Sequence, residues 1–256
     1  MILAAIDDYI TRRCKKDFEF YCEYSLTLDS SIHGNRPFLP YDYQKYTSRL
    51  LDKKKKLIVV TPRQMGFTVL TAARCFWEIQ TRPNINVVVV VPRRHHVKHF
   101  MSVINKWIAK GQYFNTQPPK GHWRTQTGEI TCMANNSTLR CLPSDSYAGK
   151  GIAIDMLVML DFAHHLSHSN IGYQGFIAAT KPDAKVLIIS TPGIPPEKQA
   201  TLFKNLYCDA KKGRNSFYPY RVVWWARPEN TIEEFVNIVD AFGIKQYNHE
   251  ILATFE

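Results

Sequence analysis

The sequence predicts an α/β fold: a doubly wound, mainly parallel sheet with helices on both faces and a small helical part ahead of it. Three observations lead there. Apolar runs without the polar alternation of an exposed strand recur along the chain, "LIVVT" at 57–61, "NVVVVVP" at 86–92, "DMLVMLD" at 155–161 and "AKVLIIST" at 184–191. Strands of that composition are buried on both faces, as in parallel sheets. Helical patterns fall between them, "FTVLTAARCFWEIQ" at 67–80 and "RRHHVKHFMSVINKWIAKG" at 93–111, the second closed by a glycine. Strand, helix, strand order implies right-handed crossovers. Finally, the chain has 256 residues, 45% hydrophobic and 21% charged, enough for one such domain with an appendage.

Taken in order, residues 1–36 form the helical lead, since "DFEFYCEYSL" spaces Phe18, Tyr21 and Cys22 as one helix face. A turn is expected at "HGNRP". Residues 37–243 hold the sheet domain. Within it, 112–150 is rich in Gly, Pro, Asn and Thr and contains a hairpin, "EITCMANNSTLRCL", turning at Asn135-Asn136. "YPYRVVWW" at 218–225 reads as a further strand, with Trp224 and Trp225 divided between core and surface. "ENTIEEFVNIVDAFG" at 229–243 reads as a helix, and 244–256 as a closing helix that starts a linker.

Several classes are set aside by composition. The start, "MILAAIDDYITRRCKKDF", lacks the pattern of a signal peptide, and no later apolar run approaches ~18 residues, so neither a membrane span nor a membrane partner is expected. The six cysteines lack C-x-x-C spacing, which argues for buried, reduced thiols over a zinc site. Lys and Arg total 33 against 22 Asp and Glu, a net +11 that favours a polyanion such as nucleic acid.

The chemistry concentrates where "LIVVT" runs into a helix. Thr61, Pro62, Arg63, Gln64, Met65, Gly66, Phe67 and Thr68 fall on the eight positions of the phosphate-binding loop G-x-x-x-x-G-K-[ST], with Phe67 in place of its lysine. A strand, a tight turn and a helix N-terminus are the context in which backbone N–H groups hold phosphate. Gly66 stands for the second glycine, and Thr68 for the hydroxyl that meets Mg²⁺. "DMLVMLD" ends in Asp161, which offers a carboxylate to Mg²⁺ at the sheet edge. "LIISTPG" ends another strand in Ser190 and Thr191, hydroxyls able to sense a γ-phosphate, although such residues also end strands for purely structural reasons. Basic clusters "PRRHHVKH" and "KKGR" read equally as phosphate-backbone contacts or as solvated helix faces.

In this order the segments resemble one family, the ATPase domain of the large terminase subunit, the DNA-packaging motor of tailed bacteriophages. "RPFLPYDYQKYTSRLL" resembles its adenine-side motif and "TPRQMGFT" its R-Q-x-G-K-T loop. "ANNSTLRCLPSDSYAGKG" is similar to its N-G-S hairpin and R-G turn, "VMLDFAHHL" to its Walker B segment, and "IISTPG" to its coupling motif. "KQYNHEILATFE" matches the end of that domain, beyond which the family's nuclease domain begins. The resemblance implies a P-loop NTPase of the additional-strand type. It implies ATP and Mg²⁺ bound between Gln44, which would read the base, the 61–68 turn and Asp161, with Ser190 and Thr191 coupling. The implied partners are double-stranded DNA, the portal protein and the small terminase subunit. The motor would work as a homo-oligomeric ring in the host cytoplasm.

Two departures stand out. Phe67 replaces the phosphate-binding lysine, a loss worth about 1.5–3 kcal/mol for a charge-assisted contact and more in the transition state. The acid strand also has one carboxylate where the family has adjacent Asp and Glu: either Phe162 replaces the Glu, or Asp161 is the Glu and Leu160 replaces the Asp. Arg63 is the preferred substitute cation and Lys150 of "YAGKG" the second candidate, while His164 and His165 receive no role. A competing expectation follows, a hydrolysis-impaired interaction or regulatory module on the same scaffold. A helicase-type ATPase would require a second motor domain, for which the chain has no room.

Overall fold

The structure, a computed structural model, describes residues 2–30, 34–111, 122–144, 151–165, 169–193, 198–233, 236–237 and 251–255. In chain order its elements are α1 (Ile2–Lys16), α2 (Phe18–Ser25), β1 (Thr27–Ser30), β2 (Gly34–Pro37), α3 (Asp42–Lys54), β3 (Lys56–Val60), α4 (Phe67–Thr81), β4 (Asn86–Val91), α5 (Arg94–Ala109), β5 (Trp123–Gln126), β6 (Glu129–Cys132), β7 (Ser137–Pro143), β8 (Ile154–Leu160), α6 (Ser169–Ala178), β9 (Thr180–Ser190), α7 (Lys198–Lys211) and β10 (Tyr218–Arg221). Lys150 and most of 229–256 lie outside the described residues, so the loop lysine and the closing helices are left as expectations. The described end, 251–255, is irregular and lays Phe255 against Phe203 and Tyr207.

Among the described residues the large sheet has eight strands in the order β10-β3-β9-β8-β4-β7-β6-β5. The first six run parallel, and β6 and β5 extend the sheet antiparallel. The strand period of two sorts the apolar runs between two cores. Leu57, Val59, Val87, Val89, Met156 and Val158 face the side covered by α1 to α5. Ile58, Val60, Val88, Val90, Leu157 and Met159 face the side covered by α6 and α7. Both faces being covered is why these strands lack polar alternation.

The helical lead is built into the larger core. Asp17 caps α2, its carboxylate accepting from Phe20 N–H at 3.0 Å. Trp77 and Gln80 on α4 donate to the Cys14 carbonyl and the Tyr21 hydroxyl, both at 2.7 Å. Where a turn was expected near "HGNRP", β1 and β2 pair as an antiparallel hairpin. The 218–225 run is a strand only to Arg221, after which Trp224–Ala226 forms a 3₁₀ turn with Trp224 buried and Trp225 exposed. All six cysteines are free, and all but the half-buried Cys208 are buried.

What places the site is strand order. β9 is inserted between β3, which leads into the 61–68 turn, and β8, which ends at Asp161. Register brings Val60 beside Ser190 and Leu160 beside Ile189, so the turn, the Ser190-Thr191 pair and Asp161 share the carboxyl edge of the sheet. Connections leave β3 and β9 toward opposite faces there, the crevice in which open α/β sheets bind ligands.

Candidate functional site

The 61–68 turn is bent by two left-handed residues, Gln64 with φ 61° and Gly66 with φ 70°. At Gly66 a Cβ would sit 2.7 Å from Gln44 Nε2, so only glycine serves. The carbonyls of the turn are held from outside. Tyr43 Oη and Gln44 Nε2 both donate to the Met65 carbonyl, at 2.8 and 2.9 Å, and Arg227 Nη1 donates to that of Gln64 at 2.8 Å. Burial pushes the Tyr43 hydroxyl up from its ordinary range, so it stays a donor. The other end of the Gln44 amide accepts from Tyr41 N–H at 3.0 Å, closing the start of α3. Gln44 was expected to read a base; at 1% exposure, with oxygen and nitrogen both bonded to the protein, it clamps the turn.

Phe67 is the first residue of α4, and its ring does not block the turn. At 6% exposure it joins the larger core, its centroid 5.9 Å from that of Tyr43. Burying an aromatic ring there is worth roughly 1.5–3 kcal/mol. The aromatic at the lysine position thus buttresses the tyrosine that holds the turn. In front of the turn a cavity of about 460 Å³ remains, lined by all eight residues of 61–68. The first-turn N–H groups of α4 have no helical partner and are available to an anion there.

The rest of that cavity comes from three strand ends. Asp161 is exposed and left-handed, φ 51°, and begins the 3₁₀ turn Phe162–His164. In such a turn residues three apart eclipse. Asp161 and His164 accordingly line the cavity, whereas Phe162 and Ala163 are both 0% exposed in the smaller core. Phe162 packs on Tyr173 and Phe203 at centroid separations of 5.5 and 6.1 Å, so position 162 supplies nothing to the cavity. Ser190 and Thr191 join this turn to β9: the Ser190 hydroxyl accepts from Ala163 N–H at 3.0 Å, and Thr191 Oγ1 bonds His164 Nε2 at 2.8 Å. His165 is buried and donates from Nε2 to the Leu160 carbonyl at 2.8 Å, and burial pushes it down to about 4.

The far wall is formed where β4 passes into α5, by Pro92, Arg93 and His96. Burial, then the neighbouring His95, holds His96 below its ordinary range, with Asp161 opposing. Sequence reasoning placed Arg63, Asp161, Thr68 and Thr191 on the cavity; it missed Arg93, His96 and His164 there, and Tyr43 and Arg227 behind the turn. The period of three from Asp161 to His164 was the signal for the histidine. A second cavity, about 340 Å³, lies on the other side of the turn, where Gln64 and Gly66 meet Arg36, Tyr41, Gln44, Arg227 and Glu229. Among the described residues no three His, Cys, Asp or Glu side chains cluster as a metal site. A hard cation bound mainly by phosphate and water needs few protein oxygens, which the Thr68 hydroxyl and the Asp161 carboxylate fit.

The sheet order and the turn define a P-loop NTPase fold with the additional strand between the two site strands. No family model matches the sequence, and no curated protein does. Solved structures do match. The ATPase domain of the Thermus phage P74-26 large terminase is 14% identical, with a TM-score of 0.66 over 86% of this chain and 95% of that one. The HK97 bacteriophage large terminase is 12% identical, with a TM-score of 0.73 over 94% of this chain and 55% of that one. The large terminase of a thermophilic bacteriophage in complex with ATP-gamma-S is 12% identical, with a TM-score of 0.62 over 84% of this chain and 52% of that one. The chain therefore has the fold of large terminase ATPase domains, and it spans about half the length of the last two proteins.

Proposed function

We propose that this chain is the ATPase motor domain of a viral DNA-packaging machine, one that couples ATP hydrolysis to movement of double-stranded DNA into a procapsid. The observation that carries the reading is the open cavity in front of a turn whose carbonyls are pinned on the opposite side, with Asp161 and Thr191 facing it from neighbouring strand ends. A triphosphate in that cavity would lie on the N–H groups of the turn and of α4, and the base and ribose would extend past Gly66 into the second cavity. Thr68 and Asp161 would hold Mg²⁺, which supplies charge neutralisation at the phosphates when bound. Arg63, which lines the same cavity, would bring its charge to the γ-phosphate. The Thr191 and Ser190 hydroxyls, tied to His164 and Ala163, would transmit the presence of that phosphate to β9 and the 3₁₀ turn. Double-stranded DNA, the portal protein and the small terminase subunit are the partners, with neighbouring subunits forming a ring.

A second reading has its own observation. Phe67 and Phe162, at the positions of the lysine and of an adjacent carboxylate, are both buried in apolar cores, so neither charge can be recovered by a rotamer change. On that reading the chain binds nucleotide without turnover, as an interaction or regulatory module. Titration calorimetry with ATP·Mg²⁺ followed by turnover assays with and without DNA decides. DNA-stimulated hydrolysis by the unaltered chain removes the second reading, and no binding at millimolar ATP removes the first.

A further inference from the structure

We propose that Arg93 is a second cation, beside Arg63, that meets the terminal phosphate of the bound nucleotide, taking over across the cavity the charge that residue 67 no longer supplies; this rests on the nucleotide reading above. Three facts support it. First, the loop position is closed to a cation: the residue there is an aromatic ring packed into the core beside Tyr43. Second, Arg93 lines the same cavity from the opposite wall, one residue ahead of α5, and is exposed there. It has no ion pair or hydrogen bond from its side chain to another described residue, whereas Arg63 is already engaged. Third, the charge of the wall is one-sided. Arg63 and Arg93, with the imidazoles of His96 and His164, face a single carboxylate, Asp161.

Sheet geometry supplies the reach. β3 and β4 are separated by β9 and β8, three inter-strand spacings, roughly 14 Å from the turn to the β4 end. A triphosphate anchored by its α and β groups on the turn points its terminal group toward Asp161 and Thr191, which sit on the two strands between. A long guanidinium side chain leaning in from β4 arrives on the far side of that group, where its planar fork can pair two phosphate oxygens. A lysine in the turn reaches β and γ phosphates together; an arginine from the opposite wall reaches only the last one. The arrangement therefore predicts discrimination between tri- and diphosphate that depends on Arg93.

The test is equilibrium binding of ATP, ADP and inorganic tripolyphosphate, each with Mg²⁺, to the unaltered chain, to Arg93→Ala and to Arg93→Gln, with thermal melts to verify folding. Arg93 is exposed, so both variants are expected to melt with the unaltered protein. Loss of the charge-assisted pair should weaken ATP and tripolyphosphate by about 10- to 100-fold, with ADP changed less than threefold. Arg93→Ala binding ATP within twofold of the unaltered chain overturns the proposal, as does an equal loss for ATP and ADP. If the unaltered chain binds tripolyphosphate but prefers no nucleotide, the nucleotide reading falls while an Arg93 effect on tripolyphosphate still supports the phosphate contact. If it binds none of the three, both fall.

Discussion

Gly66 shows how a single residue shapes the turn, and His165 how one sets the pH dependence of stability. Gly66 combines a left-handed backbone with an approach of 2.7 Å between a would-be Cβ and Gln44 Nε2. Gly66→Ala should cost about 1–2 kcal/mol for the backbone alone, and more as the Gln44 clamp is displaced. Its melting temperature should drop and its ATP affinity fall with it. His165 predicts a pH dependence. Its imidazole protonates near 6.5 in the unfolded chain but only at about 4 in the folded one. Between those values the unfolded chain binds more protons, so the stabilisation present above pH 6.5 is lost as pH falls toward 4, on the order of 3 kcal/mol in all. Urea melts at pH 7 and 4.5 should show that loss, and His165→Gln, which keeps a donor for the Leu160 carbonyl, should flatten it. At this scale the sequence was uneven. Arg63, Gly66, Thr68 and Asp161 all line one cavity. The bonds of Gln44 were not legible, because which end of an amide is already bonded depends on two segments that only folding brings together.

At the scale of elements, α3, α4 and β9 are joined by a buried charge cluster. Arg74 bonds Asp52, Glu78 and Ser48, and Lys185 at the base of β9 reaches Asp52 and Glu78 at 2.7 and 2.6 Å. Burial works against the Glu78 carboxylate, but Arg74 and Lys185 more than reverse it and hold the group below its usual range. The cluster ties α4, whose first turn faces the cavity, to the strand that carries Ser190 and Thr191 at its other end. Glu78→Ala would leave two buried cations with only the half-exposed Asp52 between them and should destabilise by about 3–5 kcal/mol in chemical denaturation. A change below 1 kcal/mol would mean the cluster is solvated. The elements themselves were largely legible, since continuous apolar runs mark strands buried on both faces. The β1-β2 hairpin was not, for its eight strand residues carry neither alternation nor an apolar run.

For the molecule as a whole, the net charge of +11 is what the proposed function would use to hold DNA by its backbone. Binding to duplex DNA should be indifferent to sequence and fall at least tenfold between 50 and 200 mM salt. Salt-independent binding would place the contact on base edges or apolar surface instead. The sequence by itself determined the sheet, the position of the turn and the absence of both the lysine and a second acid, because these follow from residue identity and local pattern. Only the tertiary structure decided what the two phenylalanines do. A local pattern cannot say whether a ring next to a phosphate loop turns into the ligand space or into the core. That depends on Tyr43, which packs beside Phe67, and on Phe203, which packs beside Phe162, and both are distant in the chain. The same reason hid Arg93. Its place opposite the turn is set by the two strands inserted between β3 and β4, an order fixed by packing across the sheet.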